Sequence, residues 1–230
     1  NIADVNEAPV LDTITTATLK ENQSDVQIGL VSWTDPDNVG DSYGDAAYDD
    51  VVVTLEGDDA SSFRMEGSIL TFTGPANYEV QDSYKVDVIA TDEDGAKDTE
   101  SLTIPVVDIN EDPVITSDTG SPVDEGSTVI YTAAASDEDA GTTLTYSISG
   151  TDADKMTIDG SGVVTLNNAA DFESQPSYSF DLTVDDGTTT VTKDIVVNIA
   201  DVNEAPVLDT ITTATLKENQ SDVQIGLVSW

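Results

Sequence analysis

Short apolar runs alternate with turn-forming residues along nearly the whole chain. The alternation is cleanest in two places. Tyr84, Val86, Val88 and Ala90 are separated by polar residues such as Lys85 and Asp87, and Tyr178, Phe180, Leu182 and Val184 by Ser179 and Asp181. A period of two puts one set of side chains on a buried face and the other in solvent, so both segments are predicted β-strands. The same reading places strands at 10–19, 26–33, 51–55, 69–72, 84–90 and 102–107, then near 129–135, 144–148, 163–166, 178–184 and 191–199. Gly, Asp and Ser punctuate them, and no segment with a helical period competes. Short strands at this spacing predict all-β, tandem Greek-key β-sandwich domains of about seven strands each.

A second pattern cuts across the strands. Asp4-Val5-Asn6-Glu7-Ala8-Pro9 returns as Asp108-Ile109-Asn110-Glu111-Asp112-Pro113 and as Asp201-Val202-Asn203-Glu204-Ala205-Pro206. Each proline lacks an N–H for a sheet ladder and holds its predecessor extended, which marks a linker between folded units. Residues 1–33 also recur unchanged as residues 198–230. The chain therefore reads as one period of a two-domain repeat plus the opening of the next, cut from a tandem array. The expected organisation is the end of a preceding repeat and its linker at 1–8, a domain at 9–107, a linker at 108–113, a domain at 114–200, a linker at 201–206 and a partial third domain at 207–230. That partial domain has too few strands to close a sandwich, so it is expected to pair with a neighbour or to mark an arbitrary cut through a fibre.

Composition narrows the chemistry. With 46 acidic and 7 basic residues the formal charge is −39, which argues against nucleic acid and anionic membranes as partners. It suits multivalent cations, basic partners or plain solubility in salt. There is no cysteine and no histidine, so a Ser-His-Asp triad, a cysteine nucleophile and an ordinary zinc site are excluded, as is a disulfide framework. No apolar segment is long enough to cross a membrane. Each linker gathers a carboxylate, an amide and a second carboxylate within four residues. Oxygen donors of this kind suit calcium, which takes six to eight of them, but no single loop supplies that many.

Further acidic motifs recur in fixed order. Domain one carries Glu21 in Leu19-Lys20-Glu21-Asn22, then Asp35 and Asp37 in Asp35-Pro36-Asp37, then Glu79 in Asn77-Tyr78-Glu79, then Asp92; domain two carries Glu125, Asp137 and Asp139, Glu173 in Asp171-Phe172-Glu173, and Asp186. The interval from Glu79 to Asp92 equals that from Glu173 to Asp186, 13 residues, and a tyrosine follows five after each Glu. With these motifs and the linkers, the chain resembles cadherin-type repeats, in particular the cadherin-like domains of large bacterial surface and adhesin proteins. The resemblance implies that the base of one domain, the linker and the top of the next converge on about three Ca2+ ions. At the middle joint the implied ligands are Glu21, Glu79, Asp108, Asn110, Glu111, Asp137, Asp139 and Asp186. The first joint has Asp4, Asn6 and Glu7 with Asp35, Asp37 and Asp92, and the third has Glu125, Asp171, Glu173, Asp201, Asn203 and Glu204; each is incomplete within the chain. Two positions depart from the pattern. Glu111 stands where animal cadherins have Asp, as in bacterial members, and Asn77 replaces the acid that domain two keeps as Asp171, which implies a weaker outermost site.

The resemblance implies an extracellular, calcium-rigidified structural or adhesive segment of a surface protein or fibre. The implied partners are other copies of itself, by homophilic or end-to-end contact, or cell-surface proteins and glycans. A carbohydrate-binding module appended to a secreted bacterial protein is the alternative. It needs an exposed aromatic platform, for which Tyr43 and Tyr48 in the acidic insertion at 38–50 are candidates, since Tyr84 and Tyr178 belong to predicted core faces. An enzyme is not expected, because the carboxylates fall at joints and not in a pocket with a raised-pKa acid. Trp33 is expected to pack in the core and not to act as an adhesive anchor.

Overall fold

The structure is a computed structural model that describes residues 6–36 and 51–207. Asp4, Asp37, the insertion with Tyr43 and Tyr48, and residues 208–230, including Trp230, lie outside the described residues. The chain divides into two compact units. One contains the residues up to Glu111 together with Glu138–Thr142, and the other contains Asp112–Asp137 and the residues from Thr143 onward.

Unit one is built from β1 (Val10–Leu11), β2 (Leu19–Lys20), β3 (Val26–Leu30), β4 (Trp33–Thr34), β5 (Val52–Glu56), β6 (Phe63–Glu66), β7 (Ile69–Phe72), β8 (Ser83–Thr91) and β9 (Lys97–Val107). A four-stranded sheet β2-β9-β8-β5 faces a three-stranded sheet β3-β7-β6, with β1 paired to β4. Unit two repeats the plan with β10 (Val114–Ile115), β11 (Val123–Asp124), β12 (Val129–Thr132), β13 (Ala135–Ser136), β14 (Thr145–Ser149), β15 (Met156–Ile158), β16 (Val163–Leu166), β17 (Ser177–Asp185) and β18 (Thr190–Ala200). Its sheets run β11-β18-β17-β14 and β12-β16-β15, with β10 paired to β13. Each unit is thus a β-sandwich, and every strand of one has a counterpart nine places later.

Period-two alternation delivers the cores. Leu19, Ile28, Leu70, Phe72, Val86, Val88 and Ile104 are fully buried in unit one; Val164, Phe180, Leu182, Ile195 and Val197 are in unit two. Phe63, Phe72 and Tyr84 meet edge to face, with the Phe72 and Tyr84 rings 4.7 Å apart. Tyr178 is buried, and Trp33 is half-buried against the unit-one core, as its pattern predicts. No helix among the described residues is long and apolar enough to cross a membrane.

Three predicted strands are broken, among them 26–33, which divides into β3 and β4 of different sheets. The stretch 10–19 forms only β1 and β2, because the chain changes sheets between them. Val10 and Leu11 pair antiparallel with β4, whereas Leu19 and Lys20 pair parallel with Val106 and Val107 of β9. Of the threonine-rich bridge only Ile14 is buried. Likewise 129–135 splits into β12 and β13. Strands β6, β11 and β15 escape the sequence reading; β11 has two residues, and β6 and β15 are short and each follow a single 3-10 turn, Ala60–Ser62 or Ala153–Lys155.

Candidate metal centre

Parallel pairing of β2 with β9 brings the residues after both strands to one end of unit one. Glu21 follows β2, and its N–H donates to the carbonyl of Val107, the last residue of β9. Asn22 N–H then donates to Ala76 O, in the loop after β7. Glu21, only 3% exposed, sits between linker and loop and accepts from both: Tyr78 N at 2.9 Å and Ile109 N at 2.5 Å. Unit two reproduces this. Glu125 accepts from Phe172 N at 3.1 Å and Val202 N at 2.5 Å. The base glutamate is therefore a backbone clamp as well as a possible ligand.

The Glu79 loop is a closed turn. Gln81 N donates to Asn77 O, and the Asn77 side-chain oxygen accepts Val80 N at 2.8 Å. In unit two Gln175 N donates to Asp171 O, and Asp171 Oδ1 accepts Ser174 N at 3.0 Å. Asn and Asp share this turn-capping role, which suits either residue to the position. The turns are anchored from below. Gln81 donates to Asp59, whose other oxygen accepts Lys85 N; Gln175 donates to Asp152, whose other oxygen accepts Ser179 N. Gln81 and Lys85 N hold the Asp59 carboxyl below the usual range against burial; at Asp152 burial pulls upward, but Lys155, Ser179 N and Gln175 together hold the carboxyl low. Both pairs are missing from the sequence reading, yet a signal existed: Glu-x-Gln-x-Ser-Tyr occurs at 79–84 and 173–178.

Three groups of carboxylate oxygens lie within 4.8 Å of one another: Glu21, Glu79 and Asp108; Glu79, Glu111 and Asp139; and Glu125, Glu173 and Asp201. Glu79 is common to the first two, so unit one gathers five carboxylates into a continuous acidic cluster. Asp139 reaches it because the segment Glu138–Thr142 belongs to unit one, and Asp139 Oδ2 accepts Glu111 N at 3.0 Å. Burial raises the carboxyls of Glu79, Asp108 and Glu111, and negative neighbours push the same way: Glu21 and Glu111 on Glu79, Asp139 and Glu21 on Asp108. Asn22 opposes the rise at Glu111 by donating a hydrogen bond. In unit two, backbone hydrogen bonds from Val202 and Phe172 lower Glu125, while burial and the charges of Glu125 and Glu173 raise Glu204.

The other implied ligands are placed differently. Asn6 donates to Asp92 at 3.0 Å, with Asp92 nearly buried in its own turn. Glu7 is exposed and Asp35 half-buried; neither enters the three groups. Asp186 accepts from Thr188 N and Thr189 N within its turn, and neither it nor Asp137 enters the groups. Asn110 and Asn203 donate to the carbonyls of Glu111 and Glu204, and Asp171 is engaged with Ser174. Glu138, absent from the sequence reading, accepts from the Asn77 amide at 2.5 Å.

The residues fit a hard divalent cation. All donors are oxygens, and the Oε2 atoms of Glu79 and Glu111 are buried with no hydrogen-bond partner. An orphaned, desolvated carboxylate oxygen in an acidic cluster is costly unless a cation meets it. Histidine and cysteine, the usual nitrogen and sulfur ligands of softer metals, are absent from the chain.

No protein-family model and no curated protein sequence matches the chain. Solved structures do resemble it. Human protocadherin-24 EC1-2 is 20% identical with a TM-score of 0.60, covering 85% of this chain and 100% of that one. Drosophila N-cadherin EC1-4 is 20% identical with a TM-score of 0.60, over 85% of this chain and 50% of that one. Mouse cadherin-23 EC22-24 is 20% identical with a TM-score of 0.55, over 85% and 65%. The fold is cadherin-like.

Proposed function

We propose that the chain is an extracellular repeat segment that calcium stiffens, part of a large bacterial surface protein or fibre serving cell adhesion or matrix assembly. The observation that carries this reading is the pair of carboxylate groups sharing Glu79, with buried, unpartnered oxygens on Glu79 and Glu111. Glu21, Glu79, Asp108, Glu111 and Asp139 would hold the ions, and Glu125, Glu173 and Asp201 begin an equivalent set. Bound calcium would supply positive charge where like charges converge, joining base, loop and linker into one body. Extracellular calcium modules bind at about 0.1–1 mM, so a calcium-rich exterior would fill such sites and a cytosol would not. The cadherin-like fold and the tandem repetition support a rod-forming, adhesive role, with further copies of the same repeat as natural neighbours. A bacterial origin is supported by Glu111 at the linker position.

Small-angle scattering with and without chelator tests the reading. The calcium-loaded chain is expected to show a narrower distribution of dimensions than the chelated chain. Identical profiles in the two conditions would refute calcium stiffening.

A further inference from the structure

Two neutral amides in unit one do work that no ion is needed for. Asn22 Nδ2 donates to Glu111 Oε1 at 2.5 Å, and Asn77 Nδ2 donates to Glu138 Oε1 at 2.5 Å. The first acceptor lies in the linker and the second on the Glu138–Thr142 segment. Both donors project from the base of the unit, where their backbones are already fixed. Asn22 N–H is bound to Ala76 O, and Asn77 caps its turn through Val80 N. Glu111 N–H donates in addition to Asp139 Oδ2 on the same segment. We infer that Asn22 and Asn77 form an ion-independent latch, which keeps Glu111 and the Glu138–Thr142 segment seated on the base of unit one when calcium is absent.

The counterpart positions in unit two lack both donors. Asn22 has a φ of +62° and corresponds to Gly126 at +81°; Asn77 corresponds to Asp171, whose carboxylate accepts and cannot donate. Asn is among the few side-chain-bearing residues that tolerate the left-handed region, so Asn22 adds a donor where glycine is the conformational default. An amide donor also engages a carboxylate without adding charge to an acidic cluster, whereas a carboxylate at the same place still caps the turn but cannot donate to Glu138. The replacement of Asp by Asn at position 77 thus exchanges ligand charge for order without calcium. Asn22 and Asn77 are positioning residues, and Glu79 remains the shared ligand.

Hydrogen exchange of the whole chain in excess EDTA tests the latch, read at the Glu111 amide. N22G keeps the favourable backbone, and N77D keeps the cap on Val80 while setting a carboxylate against Glu138. Each is expected to speed exchange of the Glu111 amide by about tenfold, the loss of one hydrogen bond to a charged acceptor, and the double variant by more. Exchange in the β8 and β9 cores is expected to stay unchanged, which separates release of the latch from unfolding. Equal exchange at Glu111 in wild type, N22G and N77D overturns the latch. The inference stands on hydrogen bonds that need no ion, so it fails or holds in EDTA independently of the calcium reading, which a parallel calcium titration tests alone. In calcium the added carboxylate of N77D is expected to tighten one site.

Discussion

Glu21→Ala is expected to lower the melting temperature of unit one by on the order of 10 °C in calcium, and by less in chelator. The carboxylate is nearly buried and accepts from Tyr78 N and Ile109 N, one in the loop and one in the linker. A hydrogen bond to a charged acceptor contributes about 1.5–3 kcal/mol, and a domain of this size shifts by about 4–8 °C per kcal/mol. Removing the side chain strands two backbone donors and opens the space they enclosed. Without cations, however, the same deletion takes one negative charge away from Glu79 and Asp108, which offsets part of the loss. Glu21→Gln retains one acceptor oxygen and is expected to fall between. Thermal melts in calcium and in EDTA check this, and a larger loss in EDTA than in calcium would contradict the role assigned to Glu21. Glu125→Ala is the matched control in unit two.

Asp152→Ala is expected to cost unit two several degrees at neutral pH, with the difference from wild type vanishing in strong acid. Asp152 is buried and accepts from Ser179 N at 2.9 Å, Lys155 Nζ at 2.7 Å and Gln175 Nε2 at 3.0 Å. Its carboxyl is held below the usual range by these partners against the opposing pull of burial. A folded pKa below the unfolded value gives stability that is present above the unfolded value, about 3.9, and is lost as pH falls through the folded one. Asp59 acts in the same direction in unit one, through Gln81 and Lys85 N. Glu79, Asp108 and Glu111 act in the opposite direction in the ion-free protein. Their folded values are raised, so their contribution is present in acid and is lost as pH rises through them. In EDTA the melting temperature of unit one is therefore expected to rise from neutral pH into mild acid and to fall again below about pH 4. A monotonic decline from neutrality downward would contradict the acidic cluster, and equal acid limbs for wild type and Asp152→Ala would contradict the role assigned to Asp152.

Much of this was legible in the chain, for definite reasons. Strands β7 and β16 match their predicted bounds because their apolar runs are short and bounded by turn residues. Segments such as β8 and β17 announce themselves by two-residue periodicity over nine residues. The crossing of the chain from β1 to β2 was not legible, because both sheets accept the same β-branched sequence and only the parallel pairing with β9 distinguishes them. At the cluster, Glu21, Glu79, Asp108, Glu111 and Asp139 are among the ligands that the resemblance to cadherin-type repeats implies, and the recurrent motifs that carry the resemblance are legible in the sequence. Asn22 and Glu138 adjoin residues of the motifs but carry no mark of their own: an amide donor stands outside a motif of acids, and Glu138 is one acid among many until Asn77 is seen donating to it. Asp59 and Asp152 were hidden by abundance: among 46 acidic residues, two with a structural duty look like the rest until Gln81 and Gln175 are seen beside them.

Glu79 is the place to test the central claim, because it belongs to both groups of the unit-one cluster. Calorimetric titration of the calcium-depleted chain should give saturable binding with dissociation constants of about 0.1–1 mM, and Glu79→Ala should abolish the sites of unit one. Absence of saturable heat up to about 10 mM calcium, or an isotherm unchanged by Glu79→Ala, would contradict calcium binding at this cluster.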